Sequence, residues 1–388
     1  MKKHKYDVIV VGGGIIGLSI AYHLLKKNSK LKVAVFESRY FGRGGSTRNA
    51  GHFRVHFWTK ENTVYAKKSV EMILKFARET GWNPTIHRSG YLWLIGEEDT
   101  LEAFKRYDRK IWRPLGVGVS FLDIGEVSER YRYLNLEGFI SAVYAPQDGK
   151  LHHDILVYGY MDGFRRRGGE LHIYTPVLSI KTSGGKVSGI DIGTKVIEAE
   201  NIVVAAGDYT DDLLSPLNID LPIELNRKEL YVSEPYKYFI EPLIIDTRKD
   251  SEGLYISQTL RGEVMGSIDY PEVVGDREYN TSLKHYTRYV EKASRLLPSI
   301  GGMSVMRVWS GNYVSTVDRS HIIGRDDHWP RGLYVATGFS GHGLMMAAYT
   351  GYLMAKHIID GDIPNDMKPF TPSRFKYGRL INESLVIG

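Results

Sequence analysis

The sequence of 388 residues contains no cysteine. This absence excludes disulfides, thiolate metal sites, iron–sulfur clusters and thiol nucleophiles within the chain. Any redox chemistry must therefore come from a bound organic cofactor. The pair His152-His153 is the one histidine feature that draws attention to a metal, but no array of carboxylates accompanies it in the sequence. We predict no metal site.

The sequence also has no run of about 18 uninterrupted apolar residues that would span a bilayer. Hydrophobic residues make up 43% and charged residues 25% of the chain, an ordinary globular balance. The net charge of +6 is spread along the chain, so we expect no nucleic-acid partner. Basic residues precede an apolar run at the start, but no small-residue cleavage site follows. We therefore expect a cytoplasmic protein and leave peripheral membrane attachment open.

The first forty residues have the pattern of a βαβ unit. Tyr6–Val11 and Lys32–Glu37 are short apolar runs typical of buried strands, and Ile15–Asn28 between them has helical spacing. The segment GGGIIG stands between the first strand and the helix. This order predicts a parallel pair of strands joined by a crossover helix.

The GGGIIG segment fits the G-x-G-x-x-G fingerprint of dinucleotide-binding proteins. Gly12 permits the tight turn, Gly14 lets the backbone approach a pyrophosphate, and Gly17 allows close helix–strand packing. The helix N-terminus offers free N–H groups to that anion, and Glu37 lies at the strand end where a carboxylate can bind a ribose. This fingerprint alone does not separate NAD from FAD. The predicted binding residues here are Gly12, Gly14, Ile15, Ile16, Gly17, Glu37 and Ser38.

The length exceeds the roughly 250 to 300 residues at which one core stops growing, so we expect two domains. Asn201–Gly207 and Gly332–Gly338 are buried-strand patterns that return to the first sheet, whereas Pro222–Tyr270 alternates as in an antiparallel sheet. The fold class is therefore α/β, with a Rossmann-type cofactor domain and a mainly antiparallel substrate domain. The predicted cofactor domain is 1–85, 145–220 and 305–388, and the substrate domain 86–144 and 221–304. The predicted further helices are Glu61–Thr80, Glu97–Arg113, Ile155–Arg167 and Gly343–Ile359.

Six stretches, taken in their order and spacing, resemble the D-amino-acid oxidase-like flavoproteins over nearly the whole chain. That family includes sarcosine and glycine oxidases and dye-linked L-proline dehydrogenases. The stretches are GGGIIG with Glu37, GGSTRNAGHFR, YAPQDGKLHHDILVYGYMDGFRRRGGEL, VVAAGDYTDDL, VWSGNYVSTVDRSHIIG and GLYVATGFSGHGL. The resemblance implies an FAD cofactor.

Two glycine-rich loops would complete the flavin site. The loop GGSTR combines backbone N–H groups with hydroxyls and suits the pyrophosphate and the inner face of a flavin, although a solvated loop has the same composition. The loop GFSGHGL begins a helix and would stabilise negative charge on a reduced flavin, as the resemblance also implies. His342 has either a direct flavin role or a packing role. The further predicted FAD-binding residues are Gly44, Gly45, Ser46, Thr47, Arg48, Val177, Ala206, Gly207, Gly311, Gly338, Ser340, Gly341, His342, Gly343 and Leu344.

An amino-acid substrate brings a carboxylate, for which arginine offers a bidentate partner. Arg54 resembles the carboxylate-anchoring arginine of proline dehydrogenases; the alternative is a surface salt bridge. Arg307 is a second candidate cation, and Tyr255 stands where relatives carry a substrate-facing tyrosine, although it would serve equally as a core residue. The predicted catalytic set is Arg54, Tyr255, Arg307 and His342.

Departures from the family narrow the chemistry. The cysteine that tethers flavin in monomeric sarcosine oxidases corresponds to Gly311, and the histidine that tethers it in dimethylglycine-dehydrogenase-like relatives corresponds to Arg48-Asn49, so we expect non-covalent FAD. The oxygen-promoting lysine of the sarcosine oxidases corresponds to Val264, and their carboxylate-binding lysine to Met345. Loss of both cations favours an electron acceptor other than oxygen, such as a quinone or another flavoprotein.

The leading hypothesis is FAD-dependent oxidation of a small amino acid, such as L-proline or sarcosine, to the imine by hydride transfer to flavin N5. One alternative is an oxygen-using oxidase of glycine, sarcosine or a D-amino acid, and another is a 2-hydroxy-acid dehydrogenase. A third is a flavin-binding electron-relay subunit without its own substrate. A nicotinamide-dependent enzyme would leave the GGSTR and GFSGHG loops without a purpose. The stereochemistry and a homo- or hetero-oligomeric state stay open.

Overall fold

The computed structural model describes residues 5–269, 275 and 277–384, and these residues form two eight-stranded sheets. The first sheet has the strands of the βαβ unit at its centre. Its path runs through Ile322–Gly324, Leu333–Thr337, Val196–Val204, Lys5–Val11, Val33–Phe36 and Glu170–His172, and Ser179–Ser183 and Lys186–Asp191 extend Val196–Val204. The central strands are parallel, as the apolar, β-branched runs predict.

Helices cover the first sheet. Ile15–Lys27 begins at the glycine turn and packs against Gly343–Asp360, and both helices are buried over most of their length. Their contact is close because Gly351 lies on Ser19, where an added Cβ would stand 2.2 Å from Ser19 Oγ. The first and last thirds of the chain therefore meet in one core, and the Rossmann-type α/β expectation is confirmed.

The second sheet is antiparallel except for one pair of strands. Leu243–Asp246 and Tyr91–Ile95 are parallel. The path of the sheet runs through Val305–Thr316, Ile223–Pro235, Glu263–Ser267, Tyr255–Gln258, Leu243–Asp246, Tyr91–Ile95, Ser141–Ala145 and Ser120–Asp123. The expected antiparallel region 222–270 supplies four of these strands, and its last residue, Tyr270, lies outside the described residues.

The strand Val305–Thr316 differs from its expected place. Its sequence position put it in the cofactor domain (305–388), but it pairs with Ile223–Pro235 in the second sheet, with Gly311 opposite Lys228. The strand then leads back to the first sheet through Ile322–Gly324. The chain therefore passes from the second sheet to the first directly after this strand. The sequence alone does not give the strand pairing that would show this.

Several helix bounds also differ from the expected ones. The segment expected as Glu61–Thr80 forms Lys60–Ile73 and Phe76–Thr80, and that expected as Glu97–Arg113 forms Glu98–Tyr107 followed by one π turn, Asp108–Trp112. Gly81 adopts a left-handed φ of +82° and ends its helix as predicted. The remaining helices are Ile124–Arg130, His153–Arg166, Thr210–Leu214, Leu283–Leu296 and Ser373–Lys376. Among the described helices, none has both the length and the apolar character that a bilayer span requires.

Candidate functional site

A cavity of ≈ 700 Å³ opens at the carboxyl ends of the parallel strands. The turn after Val11, the residues after Val204 and those after Thr337 meet there. Nearly all the predicted cofactor residues line it. They are Gly12, Gly14, Ile15, Ile16, Glu37, Ser38, Gly44, Gly45, Ser46, Arg48, Val177, Ala206, Gly207, Gly311, Gly338, Ser340, Gly341, Gly343 and Leu344.

The glycine turn admits no side chain at two of its positions. Gly12 has a φ of +112°, and a Cβ there would lie 2.2 Å from Ala205 O. A Cβ at Gly17 would lie 2.0 Å from Gly12 O. Gly17 therefore packs the helix against the turn and does not line the cavity, the role that the fingerprint assigns to its third glycine.

Side chains from the loops hold the turn in place. Gly13 N donates to Glu37 Oε2 (2.8 Å), and Ile15 N donates to Ser46 Oγ (2.8 Å). The GGSTR loop is thus tied to the helix N-terminus rather than solvated. Thr47, also predicted as a cofactor residue, donates its hydroxyl to Gly42 O (2.8 Å) and does not line the cavity.

A cluster of charged and aromatic side chains borders the cavity, and of its members the sequence indicated Arg48 but neither Tyr279 nor Asp208. The guanidinium of Arg48 lies 4.1 Å from the ring centroid of Tyr279 and donates to Ser310 O (2.9 Å). Tyr279 donates its hydroxyl to Asp208 Oδ2 (3.0 Å), and burial raises the pKa of Asp208. Because this cluster joins residues about 230 positions apart, only the fold brings it together.

A smaller cavity of ≈ 90 Å³ adjoins the first. Three of the predicted catalytic residues, Arg54, Tyr255 and His342, line it together. The residues that border both cavities are Arg48, Asn49, Lys228, Tyr313, Gly341 and Leu344. A molecule in the smaller cavity would therefore lie directly against one in the larger.

Arg54 is buried, with 1% of its surface exposed, so the alternative of a surface salt bridge does not hold. Its Nη2 donates to His342 Nε2 (3.1 Å), and its guanidinium lies 4.2 Å from the ring centroid of Phe57. Burial lowers the pKa of Arg54, but a guanidinium stays protonated in proteins. Burial and the charge of Arg54 also lower the pKa of His342 far below its usual range. His342 is therefore neutral and borders the smaller cavity, not the larger one.

A buried carboxylate and histidine support the segment 54–56, which carries Arg54 and follows the short strand His52–Phe53. Asp148 Oδ1 accepts a hydrogen bond from Val55 N (2.7 Å), and its other oxygen faces His56 Nδ1. His56 Nε2 in turn accepts from Trp93 Nε1 (2.9 Å). Asp148 belongs to the stretch YAPQDGK that the sequence singled out without a residue role, and its contacts hold the segment that follows Arg54.

Tyrosine rings form much of the smaller cavity's wall. Burial raises the pKa of Tyr91 and Tyr255 far above the usual range, and that of Tyr313 to about 12. All three hydroxyls are thus protonated at neutral pH and serve as hydrogen-bonding groups. Leu243 and Met345 add apolar surface. The cavity combines the basic side chains of Arg48, Arg54 and Lys228 and the carboxylate of Glu229 with neutral hydroxyls and apolar walls.

Arg307 does not reach either cavity. Its side chain is 52% exposed on the second sheet's edge strand, with Nη2 3.8 Å from Glu263 Oε1. The expected role of Arg307 as a second substrate cation therefore does not fit its position in the structure. Its position just before Trp309 in the sequence does not show on which face of the sheet its side chain lies. Val264 also faces away from the site, into the core with Leu92 and Ile256.

Lys228 is the cation at the site that the sequence did not indicate. It borders both cavities, and its Nζ contacts the carboxylate of Asp269 and lies 5.5 Å from the ring centroid of Tyr313. Burial, and then the charge of Arg319, lower the pKa of Lys228 to about 7. In the sequence Lys228 stands beside Glu229 in an alternating strand pattern. Nothing there distinguishes Lys228 from the other charged residues of that strand. Across the described part of the chain, no group of three or more histidines and carboxylates is placed to hold a metal ion.

Comparisons with known proteins give one family and several relatives. The sequence model of the DAO family, FAD dependent oxidoreductase, matches residues 7–357. The beta subunit of sarcosine oxidase from Rhodobacter capsulatus is 27% identical over 399 residues, covering 100% of this chain and 92% of that protein. Glycine oxidase from Geobacillus kaustophilus is 28% identical over 382 residues, covering 96% and 97%. The crystal structure of L-proline dehydrogenase from P. horikoshii superposes with a TM-score of 0.90 at 27% identity, covering 97% of this chain and 100% of that one.

Proposed function

This chain belongs to the DAO family of FAD-dependent oxidoreductases, and from that premise we propose that it oxidises a small amino acid to the imine. The preferred substrate in this proposal is a secondary amine such as L-proline or sarcosine. The observation that carries it is the buried Arg54 in a small cavity that opens directly onto the cofactor cavity. The names of the relatives, which include sarcosine oxidase, glycine oxidase and L-proline dehydrogenase, point the same way.

The larger cavity fits an FAD. Gly12 and Gly17 leave no room for side chains at the turn, and a Cβ at Gly14 would lie 2.9 Å from Ser46 Oγ, so only glycines let the backbone come close to a pyrophosphate at this helix N-terminus. Gly311 offers no atom for a covalent link, and a Cβ there would lie 2.9 Å from Arg48 Cβ. We infer a non-covalent cofactor. Bound FAD supplies a two-electron acceptor for the C–N oxidation.

The residues of the smaller cavity would bind and orient the substrate. The guanidinium of Arg54 would take the carboxylate through two parallel hydrogen bonds. His342 accepts from Arg54 and so fixes the plane of that guanidinium. The protonated hydroxyls of Tyr91, Tyr255 and Tyr313 would complete the hydrogen bonds, and the buried walls would keep out water. The chain contributes position rather than a strong acid or base.

An anaerobic screen tests this function. Purified holoprotein is mixed with proline, sarcosine, glycine, D-amino acids and 2-hydroxy acids, and the flavin absorbance band is followed. We expect the small amino acids to bleach the band and the hydroxy acids to leave it unchanged. Bleaching by hydroxy acids alone would redirect the assignment, and a band that none of these compounds changes would favour an electron-relay subunit.

The electron acceptor is a separate proposal. We propose a quinone or a partner flavoprotein, and the subunit name of the relative in Rhodobacter capsulatus supports a hetero-oligomer. Lys228, however, favours oxygen as a second candidate, since an ammonium at the junction of the cavities would stabilise the anion that oxygen forms on one-electron reduction. Hydrogen peroxide output is compared with dye reduction in the wild type and in Lys228→Met. Peroxide formation that falls with Lys228→Met would identify an oxidase.

A further inference from the structure

The segment 379–384, here called the tail segment, places a carboxylate in the interior. Glu383 has 1% of its surface exposed. Its Oε1 accepts from Trp58 N (3.1 Å), and its Oε2 accepts from Thr59 N (3.2 Å) and Thr59 Oγ1 (2.9 Å). Glu383 thus binds the first residues before the helix Lys60–Ile73. A residue more than 320 positions away along the chain holds this turn.

The tail segment itself is fixed by a buried ion pair. Arg374 Nε donates to Asp318 Oδ2 (2.8 Å), and both side chains are buried. Ile381 N donates to Asp318 Oδ2 (3.2 Å), and Glu383 N donates to Asp318 O (2.9 Å). The backbone that carries Glu383 is therefore held by Asp318.

The turn that Glu383 holds adjoins Phe57, which packs against Arg54 and His342. Phe57 precedes Trp58, and its ring is covered by the guanidinium of Arg54 at 4.2 Å and met edge-on by His342 at 5.0 Å. Burial lowers the pKa of Arg54, and the carboxylate of Glu383 is the charge that opposes this most. The tail segment therefore acts on Arg54 through both packing and charge.

We propose that Glu383 is a positioning residue for the substrate-carboxylate site. By holding the backbone of Trp58 and Thr59, it keeps the Phe57 ring, and hence the Arg54 guanidinium and His342, in the arrangement that receives the carboxylate. This rests on the proposed function, in which Arg54 binds the substrate's carboxylate. A residue that only capped the helix would affect stability and leave binding unchanged.

The test uses Glu383→Gln in the full-length holoprotein. Glutamine has nearly the same shape, but it removes the charge and turns an amide donor toward the N–H groups of Trp58 and Thr59. We expect KM for the amino acid to rise about tenfold while kcat stays within about twofold, because the lost interaction acts on substrate binding. The FAD affinity and spectrum should not change. The control is Ser384→Ala, at the exposed next residue, which should match the wild type.

A binding measurement separates this inference from the proposed function. Tetrahydrofuran-2-carboxylate keeps a ring and a carboxylate but has no amine to oxidise, and its Kd is measured by calorimetry. We expect Glu383→Gln to weaken it by the same factor as KM, and Glu383→Asp, which keeps the charge, to weaken it less. If Glu383→Gln binds the analogue more weakly but the wild type oxidises no amino acid, the proposed function is contradicted and the positioning role is still supported.

Two results would overturn the positioning role. One is a lower melting temperature for Glu383→Gln with unchanged KM and analogue Kd, since that is the behaviour of a helix cap alone. The other is tighter binding in Glu383→Gln, which would mean that its charge merely opposes an anionic ligand. Should Glu383→Gln fail to fold, Glu383→Asp carries the same comparison with the same readouts.

Discussion

Replacement of Arg54 by methionine is the perturbation that most directly probes the site. Arg54 is buried and donates to His342, so the change removes the buried guanidinium of the smaller cavity without exposing new surface. A hydrogen bond to a charged group contributes about 1.5–3 kcal/mol, and a bidentate contact contains two. Part of this is offset because the empty site no longer contains a buried charge. A net loss of about 3 kcal/mol corresponds to roughly a 150-fold increase in KM.

The assay is steady-state dye reduction with the holoprotein, together with the FAD content of each variant. Arg54→Met should bind FAD as the wild type does, because Arg54 borders only the smaller cavity. Arg54→Lys keeps the charge but loses the fork, and we expect an intermediate KM. Arg307→Met is the matched control, since Arg307 lies on an exposed sheet edge and should be silent. A wild-type KM in Arg54→Met, or an equal effect of Arg307→Met, would refute the assignment.

Three further predictions concern the cofactor and pH. Gly12→Ala should yield colourless protein, because a Cβ would lie 2.2 Å from Ala205 O; retained flavin absorbance would contradict the turn geometry. Burial lowers the pKa of His52 to about 3 and that of His23 to about 4, so both side chains bind fewer protons in the folded than in the unfolded protein. The unfolding free energy, measured by urea titration, should therefore fall as the pH is lowered from about 6.5 toward those values. The fall should be up to about 1.4 kcal/mol per pH unit for each group. The pKa of Lys228 is lowered from 10.5 to about 7, so the folded state binds fewer protons between those values and stability should rise with pH there. Lys228→Met should not show this rise of stability with pH. An identical dependence of stability on pH in the variant and the wild type would show that the pKa of Lys228 is not lowered.

Nearly all the predicted cofactor residues line one cavity because the sequence signals for this site are local. The turn at Gly12 needs a left-handed φ and a close backbone approach, which only glycine supplies, and the adjacent strand and helix confirm the context. Glu37 follows from its place at the next strand end. Its carboxylate accepts a hydrogen bond from Gly13 N of this turn, and its binding of a ribose stays a prediction.

The substrate side is harder because it depends on register and on distant pairings. Arg307 was misplaced because the face that a strand residue takes changes with each position, and nothing in the sequence fixes the pairing of Val305–Thr316. Lys228 and Tyr279 become parts of the site only through contacts with residues far away in the chain, and the sequence does not show these contacts. No local sequence pattern surrounds Glu383, so no motif identifies it as a buried carboxylate.

The strand Val305–Thr316 limits how this protein can open. It hydrogen-bonds along the second sheet, and residues 317–321 alone separate it from the strand Ile322–Gly324 of the first sheet. A wide hinge motion between the two sheets would have to deform this short connection, in which Asp318 forms a buried ion pair with Arg374. Ligands must therefore enter by local shifts of loops and side chains, and we expect the ligand-free and ligand-bound proteins to superpose closely in both sheets.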